Sequence, residues 1–279
     1  MSSAPGPTAL VAVDLDQTLI YSTSGRFGAP TPDAEIRDEV RLHQVEAHAE
    51  SGTRTFIAEA LPALVDALRE RATVVPVTTR TRAQFERIAP LGSIGFDPSL
   101  CSNGGTLLVN GRPDAAWAAE VTRDLVEDGW TVGEAAAHLD GLGLDRKAAR
   151  VADGIFCYVV VADVDAAQAQ IDRIQAEYES HGWVACLSGR KLYALPAGLT
   201  KARAVVRLAK RLGAPVIVAI GDSVLDLPML SVADYSIAPA HADRAVRQIA
   251  DHVTASSGPL AAMEALTAAA EWLALSRTD

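Results

Sequence analysis

Three apolar runs without alternation punctuate the chain: Ala9 to Asp14 (ALVAVD), Thr73 to Thr78 (TVVPVT) and Val216 to Asp222 (VIVAIGD). A strand covered on one face alternates apolar with polar, whereas one covered on both faces does not. Each run therefore predicts an interior strand of a parallel sheet. Helical periodicity follows over Ile57 to Arg71, Arg82 to Ile88, Thr200 to Leu212, Ala240 to Ala250 and Leu260 to Leu275. Such strands and helices in alternation predict βαβ units.

The middle of the chain has another rhythm. Trp117 to Glu127 and Val132 to Leu139 read as helices, and Ala149 to Val151 and Ile155 to Ala162 flank Asp153-Gly154, a hairpin signal. A helix over Asp165 to Ser180 comes next, then a second hairpin in which Trp183 to Leu187 and Lys191 to Leu195 flank a Ser188-Gly189-Arg190 turn. This antiparallel pattern predicts an α+β cap over 111–190, inserted into a core made of 1–110 and 191–279. The expected fold class is α/β: a Rossmann-like parallel-sheet core with helices on both faces, plus the inserted α+β cap. A further hairpin over Val40 to Ala58, around Ser51-Gly52, reads as a lid or a sheet edge, and both remain open at this point.

Composition narrows the function classes. A chain of 279 residues with 49% hydrophobic and 22% charged residues is globular rather than disordered. No apolar run approaches the roughly 18 residues that span a bilayer, so no membrane is expected. The formal charge of -10 has the wrong sign for broad binding to nucleic acid. Cys101, Cys157 and Cys186 form no CxxC and predict buried free thiols. The first ten residues lack a secretory pattern, which makes a cytoplasmic location the expectation. HExxH, GxxxxGK and a full dinucleotide fingerprint are absent.

The chemistry gathers where the apolar runs end. Asp14 and Asp16 close the first run, and the strand period of two sends both the same way at the carboxyl end, where open α/β sheets bind ligands. Two carboxylates this close repel unless a cation offsets them, and oxygen ligands favour magnesium. Alone, the pair would read more readily with Asp16 as the cap of a following turn. The third run, however, ends in Gly221-Asp222-Ser223 with Asp226 beyond, the second ends in Thr78-Thr79-Arg80, and Lys201 opens a helix. Asn103 and Gly104, followed by Gly105, allow close backbone approach and are expected to line the site. Arg80, Arg82, Arg190 and Lys191 are the cations available to an anionic substrate, each with a solvated surface role as its bland alternative.

In order and spacing, VAVDLDQT at 11–18, VVPVTTR at 74–80, Lys201 and GDSVLD at 221–226 resemble the four motifs of the haloacid dehalogenase superfamily. A cap between the second and third motifs resembles the branch of Cof-like, sucrose-phosphate and mannosyl-3-phosphoglycerate phosphatases. The resemblance implies a magnesium-dependent phosphatase acting on a small phosphorylated metabolite, with sugar phosphates favoured. It implies Asp14 as nucleophile, Asp16 as acid and base in turn, and Thr78 and Lys201 at the phosphoryl group. The Mg2+ ligands it implies are Asp14, the Asp16 carbonyl and Asp222, with Asp226 as a further metal-site or orienting residue. Arg80, Asn103, Gly104, Arg190 and Lys191 would serve the substrate. Leu225 stands where many members of the branch carry asparagine, Thr79 replaces a common glycine, and Gln17 is a further departure. The alternatives are a catalytically weak relative that binds a phosphometabolite or a protein partner, a phosphotransferase, and a phosphoryl-accepting receiver; receivers lack both the cap and the DxD pair. Oligomeric state is left undetermined.

Overall fold

The computed structural model describes residues 9–22, 40–47, 52–88, 94–125 and 129–276. The first eight residues, Ser51 and Glu127, for which expectations were stated above, lie outside them.

Strand β1 (Ala9–Val13) is buried throughout. Its side chains divide by parity: Ala9, Val11 and Val13 join one apolar cluster, and Leu10 and Ala12 join another. The first cluster holds Leu61, Val65 and Leu68 of the helix Leu61–Arg69 and five residues of the helix Gly258–Leu275. The second holds Val205 and Leu208 of the helix Lys201–Leu212. A strand with apolar layers on both sides has no polar positions to alternate, as its composition predicts.

After β1 the chain forms β2 (Ile20–Ser22), β3 (Leu42–Ala47) and β4 (Arg54–Ala58), an antiparallel sheet of order β2-β4-β3. The expected hairpin over Val40 to Ala58 is present as the β3–β4 pair. Ile57 and Ala58 belong to β4 rather than to the following helix, which starts at Leu61 with Pro62 in its first turn. Proline is tolerated there because the first helical N–H groups have no intrahelical partner.

Strand β5 (Ala72–Pro76) pairs in parallel with β1. Next come the short helix Arg82–Glu86 and the antiparallel strands β6 (Ser99–Cys101), β7 (Thr106–Val109) and β8 (Arg112–Pro113). The helices Ala115–Leu125 and Val132–Gly141 lead to β9 (Arg150–Ala152) and β10 (Phe156–Val160), joined through Asp153 and Gly154, both at positive φ. The single helix expected over Asp165 to Ser180 is two, Val164–Gln168 and Ile171–Glu179. Strands β11 (Trp183–Ser188) and β12 (Lys191–Pro196) then complete an antiparallel sheet of order β11-β12-β10-β9. Ser188 pairs with Lys191, so the turn is Gly189-Arg190. The expected boundary between 190 and 191 therefore falls inside this sheet, because β12 pairs with β10 and β11 and not with the parallel strands.

The parallel sheet resumes with β13 (Val216–Ile220), β14 (Tyr235–Ala238) and β15 (His252–Val253) and has the order β15-β14-β13-β1-β5. Strand β1 lies between β5 and β13, so residues far apart in the sequence meet at the carboxyl ends of neighbouring strands. The three cysteines are free, and burial pushes the Cys101, Cys157 and Cys186 thiols up to about 12. Among the described residues, no helix is long and apolar enough to cross a membrane.

Candidate active site

The carboxyl ends of β1, β5 and β13 open onto a cavity of about 1010 Å³ that contains Asp14, Asp16, Arg80, Lys201 and Asp222 in its lining. Asp14 follows the last β1 residue, with its N–H donating to the Ile220 carbonyl of β13 at 2.8 Å. Asp222 follows β13 by the same logic, and the Thr18 hydroxyl donates to its Oδ1 at 3.4 Å. Strand order has thus brought together carboxylates 208 positions apart.

Lys201 is the first residue of its helix, whose N-cap Thr200 accepts the Arg203 N–H at 3.2 Å. The Lys201 side chain is 1% exposed and donates to Asp14 and, at 2.6 Å, to Asp226. Desolvation alone would lower the affinity of a buried ammonium for its proton, but the two facing carboxylates raise it. Lys201 is accordingly a fixed positive charge.

Burial, with help from the negative charges of Asp226 and Asp16, pushes Asp14 up to about 7 against the pull of Lys201. Asp222 is raised well above the usual carboxylate range by burial and by Asp14 and Asp226. Oxygen atoms of Asp14, Asp222 and Asp226 all lie within 4.8 Å of one another. A buried set of oxygen donors held in mutual repulsion suits a hard divalent cation. The Asp226 carboxylate is already well provided for: Oδ1 takes Lys201, and Oδ2 accepts the N–H groups of Asp222 and Ser223 and the Ser223 hydroxyl at 3.0–3.2 Å. It orients the β13 loop and Lys201. Gly221 makes this fold-back possible, since a Cβ there would sit 2.5 Å from the Asp226 Cβ.

The Asp16 carboxylate has a partner of its own. Arg80 grips it through a fork, Nε to Oδ2 at 2.7 Å and Nη2 to Oδ1 at 2.8 Å. Burial works to raise Asp16, but the Arg80 charge and hydrogen bonds prevail and hold it below the usual range. Arg80 is therefore already paired with carboxylates of this chain, which corrects the expectation of a cation reserved for substrate. Arg82 is engaged with Glu86 at 2.6 Å.

Thr79 is in the cavity lining, whereas Thr78 is 1% exposed and its hydroxyl accepts the Arg80 N–H at 3.1 Å. Asn103 and Gly104 are not among the lining residues. Asn103 is buried and donates to the Leu199 carbonyl at 2.8 Å, and a Cβ on Gly104 would stand 2.3 Å from that of Ala204. Their small size and positive φ serve the close packing of the Lys201 helix instead of direct contact with a ligand. Arg190 and Lys191 do line the cavity, from the far side. The Lys191 ammonium lies over Tyr158 and Tyr193, 5.3 and 5.8 Å from the ring centroids. Leu225 also borders the cavity, where it offers no metal ligand.

Sequence reasoning missed Glu46, Asp243, Tyr158 and Tyr193, all in the lining. The tyrosines carried a signal: on the cap strands, alternate residues Cys157, Val159, Leu192 and Ala194 pack inward, which leaves Tyr158 and Tyr193 on the opposite face. Gln17, where glycine would be the easy residue, adopts φ 65° with its carbonyl accepting from His241 at 2.7 Å.

Residues 145–261 match the model of a family described as haloacid dehalogenase-like hydrolase. A phosphoglycolate phosphatase of Aeropyrum pernix is 36% identical over 103 residues, 36% of this chain and 43% of that protein, so the match spans less than half of that relative. The sucrose-phosphatase of Synechocystis, solved with sucrose and phosphate, superposes with a TM-score of 0.65 at 16% identity, covering 94% of this chain and 98% of that one. A Thermoplasma acidophilum protein superposes with a TM-score of 0.63 at 17% identity over the same shares. The family match thus covers residues 145–261, and the two superpositions show a shared fold over nearly the whole chain.

Proposed function

We propose that the protein is a magnesium-dependent phosphatase that hydrolyses a phosphomonoester of a small metabolite through phosphorylated Asp14. The observation that carries this reading is Asp14 at the floor of the cavity, held by buried Lys201 and faced by Asp222 from a neighbouring strand. A carboxylate so placed meets an incoming phosphoryl group with one fixed positive charge beside it.

In the first step an Asp14 oxygen attacks phosphorus as the bond to the leaving oxygen breaks, and Asp16, which takes up a proton from solvent against the pull of Arg80 when the substrate binds, gives that proton to the leaving oxygen. In the second step water attacks the phosphorus of the acyl phosphate and passes a proton to Asp16. The bond to Asp14 breaks, inorganic phosphate leaves and both carboxyl groups return to their starting state. Lys201 holds Asp14 in line and balances charge on the transferring group, for which Thr79 forms part of one wall. Asp14, Asp222 and the Asp16 carbonyl would hold Mg2+, which when bound offsets the buried carboxylates and the charge of the phosphoryl oxygens. Asp226 keeps Lys201 and the Asp222 loop in place.

Residues 111–196 act as a substrate-recognising cap in this reading. The leaving group lies against Tyr158 and Tyr193, and Lys191 and Arg190 supply positive charge. A sugar phosphate fits this mixture of ring faces and cations, and the sucrose-phosphatase of the same fold lends support. The test is phosphate release from phosphorylated sugars, polyols, nucleotides and coenzymes, with and without magnesium, beside Asp14→Asn. Release that needs magnesium and disappears in the variant is expected. An active Asp14→Asn protein, or a folded wild type inert towards the whole panel, overturns the reading.

A further inference from the structure

Glu46 is the unexplained residue of the cavity wall. It lies on β3, and its side chain is 9% exposed. A carboxylate this well covered requires partners. It has three: Arg80 Nη1 donates to Oε2 at 2.9 Å, the Thr55 hydroxyl donates to the same oxygen at 3.4 Å, and Arg87 Nε donates to Oε1 at 3.0 Å. The β3–β4 ladder shifts register between Gln44 and Glu46, and such irregularities re-aim a side chain.

The Arg80 guanidinium thus has a carboxylate at each end. One edge forks onto Asp16 and the opposite nitrogen is fixed by Glu46, with a weaker bond to the Gln84 carbonyl at 3.5 Å. A bidentate fork sets the plane of the carboxylate it holds, and it takes only one lone-pair site on each oxygen. The remaining sites of Asp16 stay available for proton exchange with a leaving oxygen or a water. The direction in which they point is therefore set by Arg80, and that of Arg80 by Glu46.

We propose that Glu46 is a positioning residue that orients Asp16 through Arg80, which makes the β3–β4 hairpin part of the proton-transfer apparatus and neither a mere lid nor an edge. The inference rests on the phosphatase reading, in which Asp16 serves the leaving group. A misaimed Asp16 slows the first step only where the leaving group needs a proton, whereas it slows the second step, common to all substrates, whatever the leaving group. Binding through the cap and the floor is unaffected.

The test compares wild type, Glu46→Gln, Asp16→Asn and the double variant on a sugar phosphate turned over by the wild type and on p-nitrophenyl phosphate. Glu46→Gln should lower the single-turnover rate of Asp14 phosphorylation by the alkyl ester about 10- to 100-fold, leave that by p-nitrophenyl phosphate within about threefold, and slow dephosphorylation alike after either ester. In the Asp16→Asn background the Glu46 change should cost nothing further, since its intermediary is gone. Arg80→Lys keeps the charge and loses the fork, so it should show the same selectivity, and it serves as well if Glu46→Gln misfolds. Equal losses of the phosphorylation rate on both substrates, additive losses in the double variant, or an unchanged phosphorylation rate with the alkyl ester in folded Glu46→Gln would overturn the proposal. A wild type without magnesium-dependent nitrophenyl turnover sensitive to Asp14→Asn would instead fail the phosphatase reading. The positioning claim is read independently from the Arg80 Nε–H resonance, expected to be slowly exchanging in wild type and fast in Glu46→Gln; identical exchange in both sinks it.

Discussion

Lys201 and Asp226 meet 2.6 Å apart with side-chain exposures of 1% and 0%, and the same ammonium also reaches Asp14. One buried cation therefore offsets a cluster of buried carboxylates. Lys201→Met removes it and leaves those groups uncompensated, which should cost about 3–5 kcal/mol of stability. Urea unfolding at neutral pH measures this loss, and activity should vanish with it. An undiminished midpoint would mean that the pairing contributes little.

Magnesium should act on the same cluster with opposite sign. A ligand that binds only the folded chain raises the melting temperature. Millimolar magnesium should therefore raise Tm in the wild type, chelator should reverse the rise, and Asp222→Asn should abolish it. Scanning calorimetry of the two proteins decides the matter without any substrate.

Gly221→Ala should be harmful for a steric reason. The new Cβ would lie 2.5 Å from the Asp226 Cβ, so Asp226 must move and release the Asp222 and Ser223 N–H groups. The overpacking should cost about 1–3 kcal/mol. Because Asp226 also holds Lys201, kcat should fall more steeply than stability, which paired denaturation and rate measurements would reveal.

A pH prediction follows from Glu46. Its burial favours the protonated form, but the hydrogen bonds and charges of Arg80 and Arg87 outweigh this and depress it below the usual value. A carboxyl group whose folded pKa lies below its unfolded one stabilises the fold above the unfolded value, near about 4.3, and loses that contribution as pH falls through the folded value. Glu46→Gln should thus lower Tm at pH 7 and have a diminishing effect below about pH 4. A constant difference in Tm from pH 7 to 3 contradicts it.

On the cap side, Lys191→Met should raise KM for an anionic ester about tenfold with little change in kcat, because its cation acts on bound substrate and transition state alike. Steady-state kinetics on the best substrate of the panel tests this. An equal fall in kcat would assign Lys191 to the chemistry.

Asp14, Asp16, Asp222 and Lys201 could be named from the chain alone because each sits at the end of a strand or the start of a helix. Those positions are written locally, in apolar runs such as ALVAVD and VIVAIGD. Strand period and sheet direction are backbone properties, so they carry over to any packing. Strand β14 was passed over because its four residues make no long apolar run. Asn103 and Gly104 were read as site lining because glycine permits close approach. What approaches is the helix of Ala204, a fact about packing across 100 positions.

The parallel-sheet core, the antiparallel insertion, the acids at the strand ends and the free cysteines are legible in the chain, since each depends on residues near one another in it. Which carboxylate each cation holds is fixed by the folded arrangement alone. Arg80 could serve substrate or solvent as far as its neighbours in the chain tell, and in the fold it forks onto Asp16 and reaches Glu46 on a hairpin 34 positions away. Charge pairing depends on which surfaces are brought together and cut off from water, and that is fixed by the assembled fold.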